Sequence, residues 1–264
     1  MKVVRDLDRS EALESAVTIG AFDGVHRGHR AVLRLVRELA DARGLQAALV
    51  TFDRHPAEIV RPESAPKLLT TVDRRLELLD ETGLLDLCAV LTFDEARSRE
   101  SAADFVTEVL VGRLRVRLVV VGADFHFGHR RGGNVALLEQ MGADLGFEVL
   151  GLGLVAPETG SVPFSSTRVR QLLAAGDVEG AADVLGRPHE LRGVAAPGGL
   201  IVDARMCMPA AGRYRGTVTE SGEAEHLAVV AVGVEPEGDD VALRSSEGSD
   251  GGGRAARVRF HRRL

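Results

Sequence analysis

The sequence predicts an α/β protein, a doubly wound parallel sheet followed by a small C-terminal β-rich, barrel-like domain. Three observations carry that reading. Short continuous apolar runs at residues 16–21, 46–52, 87–93, 117–122 and 147–152 are rich in Val, Leu and Ile, as strands covered on both faces are. Helical patterns at 30–43, 73–82, 101–114 and 133–145 alternate with them, which is the order of βαβ units. After Pro188 the texture shifts to short alternating stretches with glycine-rich spacers. The expected domains are therefore 1–188 and 189–264.

The first apolar run leads into Gly20-Ala-Phe-Asp-Gly-Val-His-Arg-Gly-His29. From Arg30 onward Val32, Leu35, Val36, Leu39 and Ala40 recur at helical spacing, with Arg34, Arg37, Glu38 and Asp41 opposite. The second run ends in Thr51-Phe-Asp-Arg-His-Pro56. Cys88 lies within the third run and is expected in the core. Ser101 is placed to cap the helix at 101–114, and Gly44, Gly83 and Gly146 fall where helices should stop. The fourth run leads into Asp124-Phe-His-Phe-Gly-His-Arg-Arg-Gly-Gly-Asn134, and a further helix opens at Ser165 and runs to Gly176. In the second domain, alternation marks strands at 213–218, 227–234 and 256–260. The spacer 247–254 is nearly all Ser, Gly, Asp and Glu and is expected to be a mobile loop. A hydrophobic core in so small a domain is marginal, so this domain is expected to lean on the first.

Composition narrows the function classes. With 45% hydrophobic and 27% charged residues the chain can build an ordinary soluble core. A formal charge of −6 argues against nucleic-acid partners, which need a basic surface. No run reaches membrane-spanning length, and the charged N-terminus lacks a signal-peptide pattern. The two cysteines form no metal or disulfide pattern, so a cytoplasmic location is expected.

In a parallel sheet, ligands gather at the carboxyl ends of the strands, and three polar motifs follow strands here. The Gly20–His29 turn precedes a helix, where backbone N–H groups and the positive end of the helix dipole favour phosphate. Gly24 and Gly28 let the main chain approach an anion, and His26 and His29 could contact it. Alternatively, one histidine simply caps the helix. Zinc is disfavoured because no further ligands stand at suitable spacing, and no protein metal site is expected. Ser165-Ser-Thr-Arg-Val-Arg170 offers three hydroxyls and two guanidinium groups at a helix start, more than capping requires. Asp53, Arg54 and His55 ahead of Pro56 read equally well as a polar loop. Around Asp124, aromatic and arginine side chains beside flexible glycines suit a flat heterocycle and phosphate.

These motifs, in this order, resemble the bacterial riboflavin kinase/FMN adenylyltransferase family, the bifunctional FAD synthetases. The resemblance runs over nearly all of residues 18–189, including PKLLT at 66–70, VVVGADFHFG at 119–128 and GDVEGAADVLGRPH at 176–189. It implies a Rossmann-like nucleotidylyltransferase domain that transfers AMP from ATP to FMN, giving FAD and pyrophosphate. Mg²⁺ would be held mainly by the ATP phosphates. By resemblance, His26, His29, Asp124, Ser166 and Thr167 are catalytic. Gly20, Phe22, Asp23, Gly24, Gly28, Ser165, Arg168 and Arg170 would serve the nucleotide. Asp53, His55, Pro56, Phe125 and Phe127 would lie near the flavin.

The sequence departs from the family at Arg54, where proline is usual, at Val60, where a larger residue is expected, and at Pro163, where several members carry a basic residue. The second domain keeps PAAGRYRG at 209–216 and a closing strand at 258–264, but no GFPTAN segment follows Gly193. Nor is there a counterpart of the strand bearing the kinase's glutamate. A degenerate kinase domain without riboflavin kinase activity is expected. The alternatives are a nucleotidylyltransferase acting on another phosphate ester, or a catalytically dead flavin- or nucleotide-binding regulator. A homo-oligomer is compatible with the sequence, which does not set the assembly state.

Overall fold

The computed structural model describes residues 1–5, 13–153, 163–235, 241–246 and 254–264. The spacer expected as a mobile loop lies outside them, except for Arg254. The described chain packs as two compact units, Met1–Pro66 with Val72–Pro163, and Lys67–Thr71 with Phe164–Leu264.

The first unit is built on strands β1 (Lys2–Arg5), β2 (Ser15–Ile19), β3 (Gln46–Phe52), β4 (Leu87–Leu91) and β5 (Val116–Gly122). A short ribbon follows, β6 (His126–Phe127) with β7 (Gly133–Asn134), and then β8 (Glu148–Leu152). Its helices are α1 (Arg27–Arg43), α2 (Ala57–Val60), α3 (Val72–Asp80), α4 (Glu95–Ser98), α5 (Ala102–Asp104) and α6 (Val135–Leu145). The sheet order is β1-β4-β3-β2-β5-β8 and every neighbouring pair is parallel. From β2 the chain builds through β3 and β4 to one side, then returns to lay β5 and β8 on the other. The winding therefore reverses between β2 and β5, and a crevice at the carboxyl ends of such strands is where ligands bind in this architecture.

Alternate strand residues serve opposite faces. Val17, Ile19, Val50, Leu91 and Val119 pack with Phe105, Val106 and Leu110 on one side. Leu49, Cys88 and Val90 pack with Leu33 of α1 and Leu78 of α3 on the other. Each such side chain contributes roughly 1.5–3 kcal/mol on burial. Three details differ from the sequence reading. β1 is an additional edge strand, too short to register as an apolar run. The first helix starts at Arg27, three residues early, because His26 caps it. The helix opened by Ser101 changes at Phe105–Arg113 to π-type winding, closed by Leu114 N–H donating to the Val109 carbonyl at 3.0 Å.

The second unit contains α7 (Ser166–Ala174), α8 (Val178–Leu185) and strands β9 (His189–Ala196), β10 (Gly199–Asp203), β11 (Gly212–Glu220), β12 (His226–Val232), β13 (Val241–Ser246) and β14 (Ala255–Arg263). The strands form a closed barrel in the order β10-β13-β12-β11-β14-β9. Tyr214 and Phe260 meet edge to face at 5.6 Å in its core, and the Tyr214 hydroxyl donates to the Ala210 carbonyl at 2.7 Å. By packing, the division of the chain falls at Pro163/Phe164, not at residue 188, and it also takes Lys67–Thr71 across. The cause is visible in the core: Val169, Leu172, Leu173, Val178, Ala181, Leu185 and Leu69 belong to the same apolar cluster as Leu191, Val218 and Phe260. A small barrel thus gains a sufficient core from two helices that the sequence texture assigns to the first domain. Among the described residues no helix is long and apolar enough to cross a membrane.

Candidate functional site

The turn after β2 holds most of the unusual geometry in the first unit. Phe22 and Val25 have φ of 49° and 41°, and Gly24 has φ of 83°. Left-handed backbone is costly for a bulky or β-branched residue and persists only where the surroundings enforce it. Here the Val25 N–H donates to the Phe22 carbonyl at 3.1 Å, closing the turn, and both side chains are buried.

The result is a column of three rings. Phe22 stacks on His29 at 4.5 Å and His29 on His26 at 3.6 Å, with interplanar angles of 26° and 19°. His26 is the N-cap of α1, its Nδ1 accepting the His29 N–H at 3.3 Å. The capping alternative therefore holds for His26, without excluding a second role for its other nitrogen. His29 lies in the first helical turn, and its Nδ1 is buried with no hydrogen-bond partner. Burial first, then the neighbouring His26 and Arg75, hold its pKa well below the usual histidine range. His29 is thus a neutral ring at physiological pH, at a helix N-terminus.

Beneath this turn lies a residue that the sequence analysis did not single out. Arg75 of α3 is 3% exposed, and its guanidinium donates to the carbonyls of Ala21 (2.8 Å) and Phe52. Burial lowers its pKa, while Asp23, Cys88, Asp53 and Glu58 act in the opposite direction. A signal was present in the sequence: Arg75 shares one helical face with Leu78 and Leu79, an apolar stripe where a cation needs a reason. Cys88, in the core as expected, has its thiol pushed up to about 12 by burial.

The loop after β3 is internally tied. Asp53 accepts the Phe93 N–H at 2.9 Å and lies 3.5 Å from the Arg54 Nε. His55 Nδ1 accepts the Ala57 N–H at 3.1 Å, and the His55 N–H donates to Glu58 at 2.8 Å, so this loop's polar groups also build its own turn. Pro56 leads into α2. After β5, Asp124 is exposed, and its Oδ1 would lie 2.9 Å from a Cβ placed on Gly122. Any side chain at Gly122 would displace that carboxylate. Phe125 and Phe127 stack at 5.4 Å, both half-buried. The structure thus sets the loops that carry Gly20–His29, Asp53–Pro56 and Asp124–Phe127 along the carboxyl rim of one parallel sheet.

The remaining expected residues belong to the second unit. Ser165 caps α7, its hydroxyl accepting the Arg168 N–H at 3.1 Å. Arg170 Nε donates to the Lys67 carbonyl at 2.6 Å, fastening the 67–71 segment to the helix. That segment also pairs with the barrel, since the Leu68 N–H donates to Arg205 and Leu68 accepts from Cys207, both at 2.8 Å. Ser166 is half-buried, Thr167 exposed and Arg168 half-buried. Among the described residues no three His, Cys, Asp or Glu side chains gather as a metal cluster.

Comparisons with known proteins bear on this arrangement. A family model described as FAD synthetase matches residues 8–168. The bifunctional riboflavin kinase/FMN adenylyltransferase of Escherichia coli strain K12 is 32% identical over 250 residues, covering 89% of this chain and 79% of that protein. The protein of that name from Pseudomonas fluorescens is 40% identical over 195 residues, 73% of this chain and 61% of the relative. For the one from Buchnera aphidicola of Schizaphis graminum the values are 30%, 73% and 62%, so the match spans about three-fifths of these last two proteins. A solved structure titled macrolide-efflux protein, from Streptococcus pneumoniae, superposes with a TM-score of 0.78 over 100% of this chain and 91% of its own, at 23% identity, which speaks to the fold alone. The family match and the E. coli relative together lead to one conclusion: this chain belongs to the FAD synthetase family of nucleotidyltransferases.

Proposed function

We propose that this chain transfers AMP from ATP to FMN, releasing FAD and pyrophosphate, and that it has no riboflavin kinase activity. The observation that carries the reading is the Phe22–His29–His26 column at the start of α1, where the sheet's winding reverses. His26 and His29 would contact the triphosphate, with Gly20, Phe22, Asp23, Gly24 and Gly28 shaping the nucleotide's seat. Ser165, Ser166, Thr167, Arg168 and Arg170 would serve the polyphosphate, Ser165 while capping its helix. Asp124 would stand at the reacting centre, and Asp53, His55, Pro56, Phe125 and Phe127 near the flavin.

The chemistry suits such a site. A phosphate monoester has a second pKa of about 6, so FMN is already a dianionic nucleophile near neutral pH and needs no general base. Its oxygen attacks the α-phosphorus, and the bond to the bridging oxygen of pyrophosphate breaks. The protein must align the two and stabilise charge on the departing group. A neutral His29 can donate an N–H to that charge, and an anion beside it raises its proton affinity as charge develops. Mg²⁺ would arrive with ATP, coordinated by phosphate oxygens and water. No residue is assigned to it. The two free, buried cysteines suit a reducing, cytoplasmic setting.

Two features support loss of the kinase reaction, which needs a positioned base for a neutral hydroxyl. β9 and β10 join through a tight turn at Pro197–Gly198 with no GFPTAN segment after Gly193, and the sequence offers no counterpart of the kinase's glutamate-bearing strand. The test is chromatography after incubation with FMN and Mg²⁺–ATP, beside a second reaction with riboflavin and Mg²⁺–ATP. FAD from the first and no FMN from the second is expected. FMN formed from riboflavin would refute the loss of kinase activity. Pyrophosphate released only with another phosphate ester, or FMN binding without turnover, would replace the proposed reaction.

A further inference from the structure

Arg75 bridges the exits of β2 and β3, which the Gly20 N–H also joins by donating to the Val50 carbonyl at 3.0 Å. Its two terminal nitrogens donate to backbone carbonyls at the exits of adjacent strands, Ala21 after β2 and Phe52 at the end of β3. The Thr51 hydroxyl approaches the same Ala21 carbonyl at 3.4 Å. The peptide whose carbonyl Arg75 holds leads directly into Phe22, the left-handed residue whose ring stacks on His29. The other peptide leads into Asp53, which fixes its loop to Phe93. Left-handed backbone at Phe22 needs external enforcement, and a planar guanidinium bridging two acceptors supplies it with more geometric definition than a point charge.

We infer that Arg75 is a positioning residue: by bridging the Ala21 and Phe52 carbonyls it fixes the separation between the histidine-bearing turn and the Asp53 loop. The inference builds on the proposed adenylyl transfer, in which these two loops serve the nucleotide and the flavin. Arg75 is 3% exposed and its terminal nitrogens are engaged by main-chain carbonyls. Its effect is on alignment, and misalignment of reacting groups is felt in turnover more than in affinity.

The experiment compares Arg75→Met and Arg75→Lys with the parent chain by circular dichroism and steady-state FAD formation. In Arg75→Met, kcat should fall roughly a hundredfold, with KM for ATP and FMN within about threefold. In Arg75→Lys, which keeps a charged donor, at least about a tenfold part of that loss should return. Turnover of Arg75→Met within threefold of the parent, or Arg75→Lys no better than Arg75→Met, overturns the inference. So does failure of both variants to fold, which would make Arg75 a core residue only. A parent chain that forms no FAD removes the proposed reaction instead. The imidazole ¹⁵N resonances of His29 then decide: a shift in the folded variant supports the bridge, and unchanged resonances overturn it.

Discussion

Among the described residues, the sheet unit and the barrel unit treat backbone strain in opposite ways. All five non-glycine residues with positive φ, namely Phe22, Val25, Arg115, Arg130 and Arg131, lie in the first unit. Four of the five occupy loops at the carboxyl rim of its sheet. In the barrel unit every positive φ falls on glycine, at residues 176, 186, 198, 212, 222 and 233. One unit is locally relaxed and its core is filled by Tyr214, Phe260 and their neighbours. The other holds bulky residues in sparsely populated conformations, each costing of order 1–3 kcal/mol, at the place where chemistry is proposed. Strain has been kept where it positions a ring and removed where only stability is at stake.

The largest test of that contrast lies in the barrel. Phe260→Ala should cost about 3–5 kcal/mol in denaturant unfolding, because a fully buried ring leaves a cavity in a closed core. A loss under 1 kcal/mol would mean that this core is not tightly packed. On the other side, His29→Ala should reduce FAD formation about a hundredfold or more, equivalent to about 2.7 kcal/mol, in a chain that still folds by circular dichroism. Unchanged turnover would remove His29 from the mechanism.

The sequence made much of this contrast readable. Four apolar runs became β2, β3, β4 and β5 because strands covered on both faces have no polar alternation to confuse the pattern, and the fifth became β8, an edge strand with Glu148, Leu150 and Gly151 exposed. Three barrel strands showed through their period of two, whereas β9, β10 and β13 were missed. β10 and β13 run parallel to each other, a non-local pairing that no hairpin signal announces. The 163/164 division escaped because α7 looks like any amphipathic helix, and its packing partner is a distant barrel. At the candidate site, motif residues were visible through their polarity after strands. Arg75 was not, since its role depends on two carbonyls 23 and 54 residues away.

Smaller effects sharpen the comparison. The depressed pKa of His29 means that the unfolded chain takes up its proton first as pH falls. Its contribution to stability is present above about pH 6.5, the ordinary histidine value, and is lost progressively below it toward the folded value. Urea unfolding at pH 7.5 and 5.5 should therefore show a smaller decline in His29→Gln than in the parent chain. An equal decline would place the acid sensitivity elsewhere. Smallest of all, Arg131→Gly should stabilise by up to about 1 kcal/mol, because the exposed Arg131 sits at φ of 60°. Destabilisation there would show that the left-handed backbone is not strained.

The cap on α1 also decides a question of tautomers. His26 can accept the amide proton of His29 only through an unprotonated Nδ1, so a neutral ring must carry its hydrogen on Nε2. Helix initiation and the hydrogen-bonding polarity of that imidazole are consequently one choice. Replacing His26 by a residue with no acceptor there would forfeit the cap as well, loosening the opening coil of the helix that carries His29.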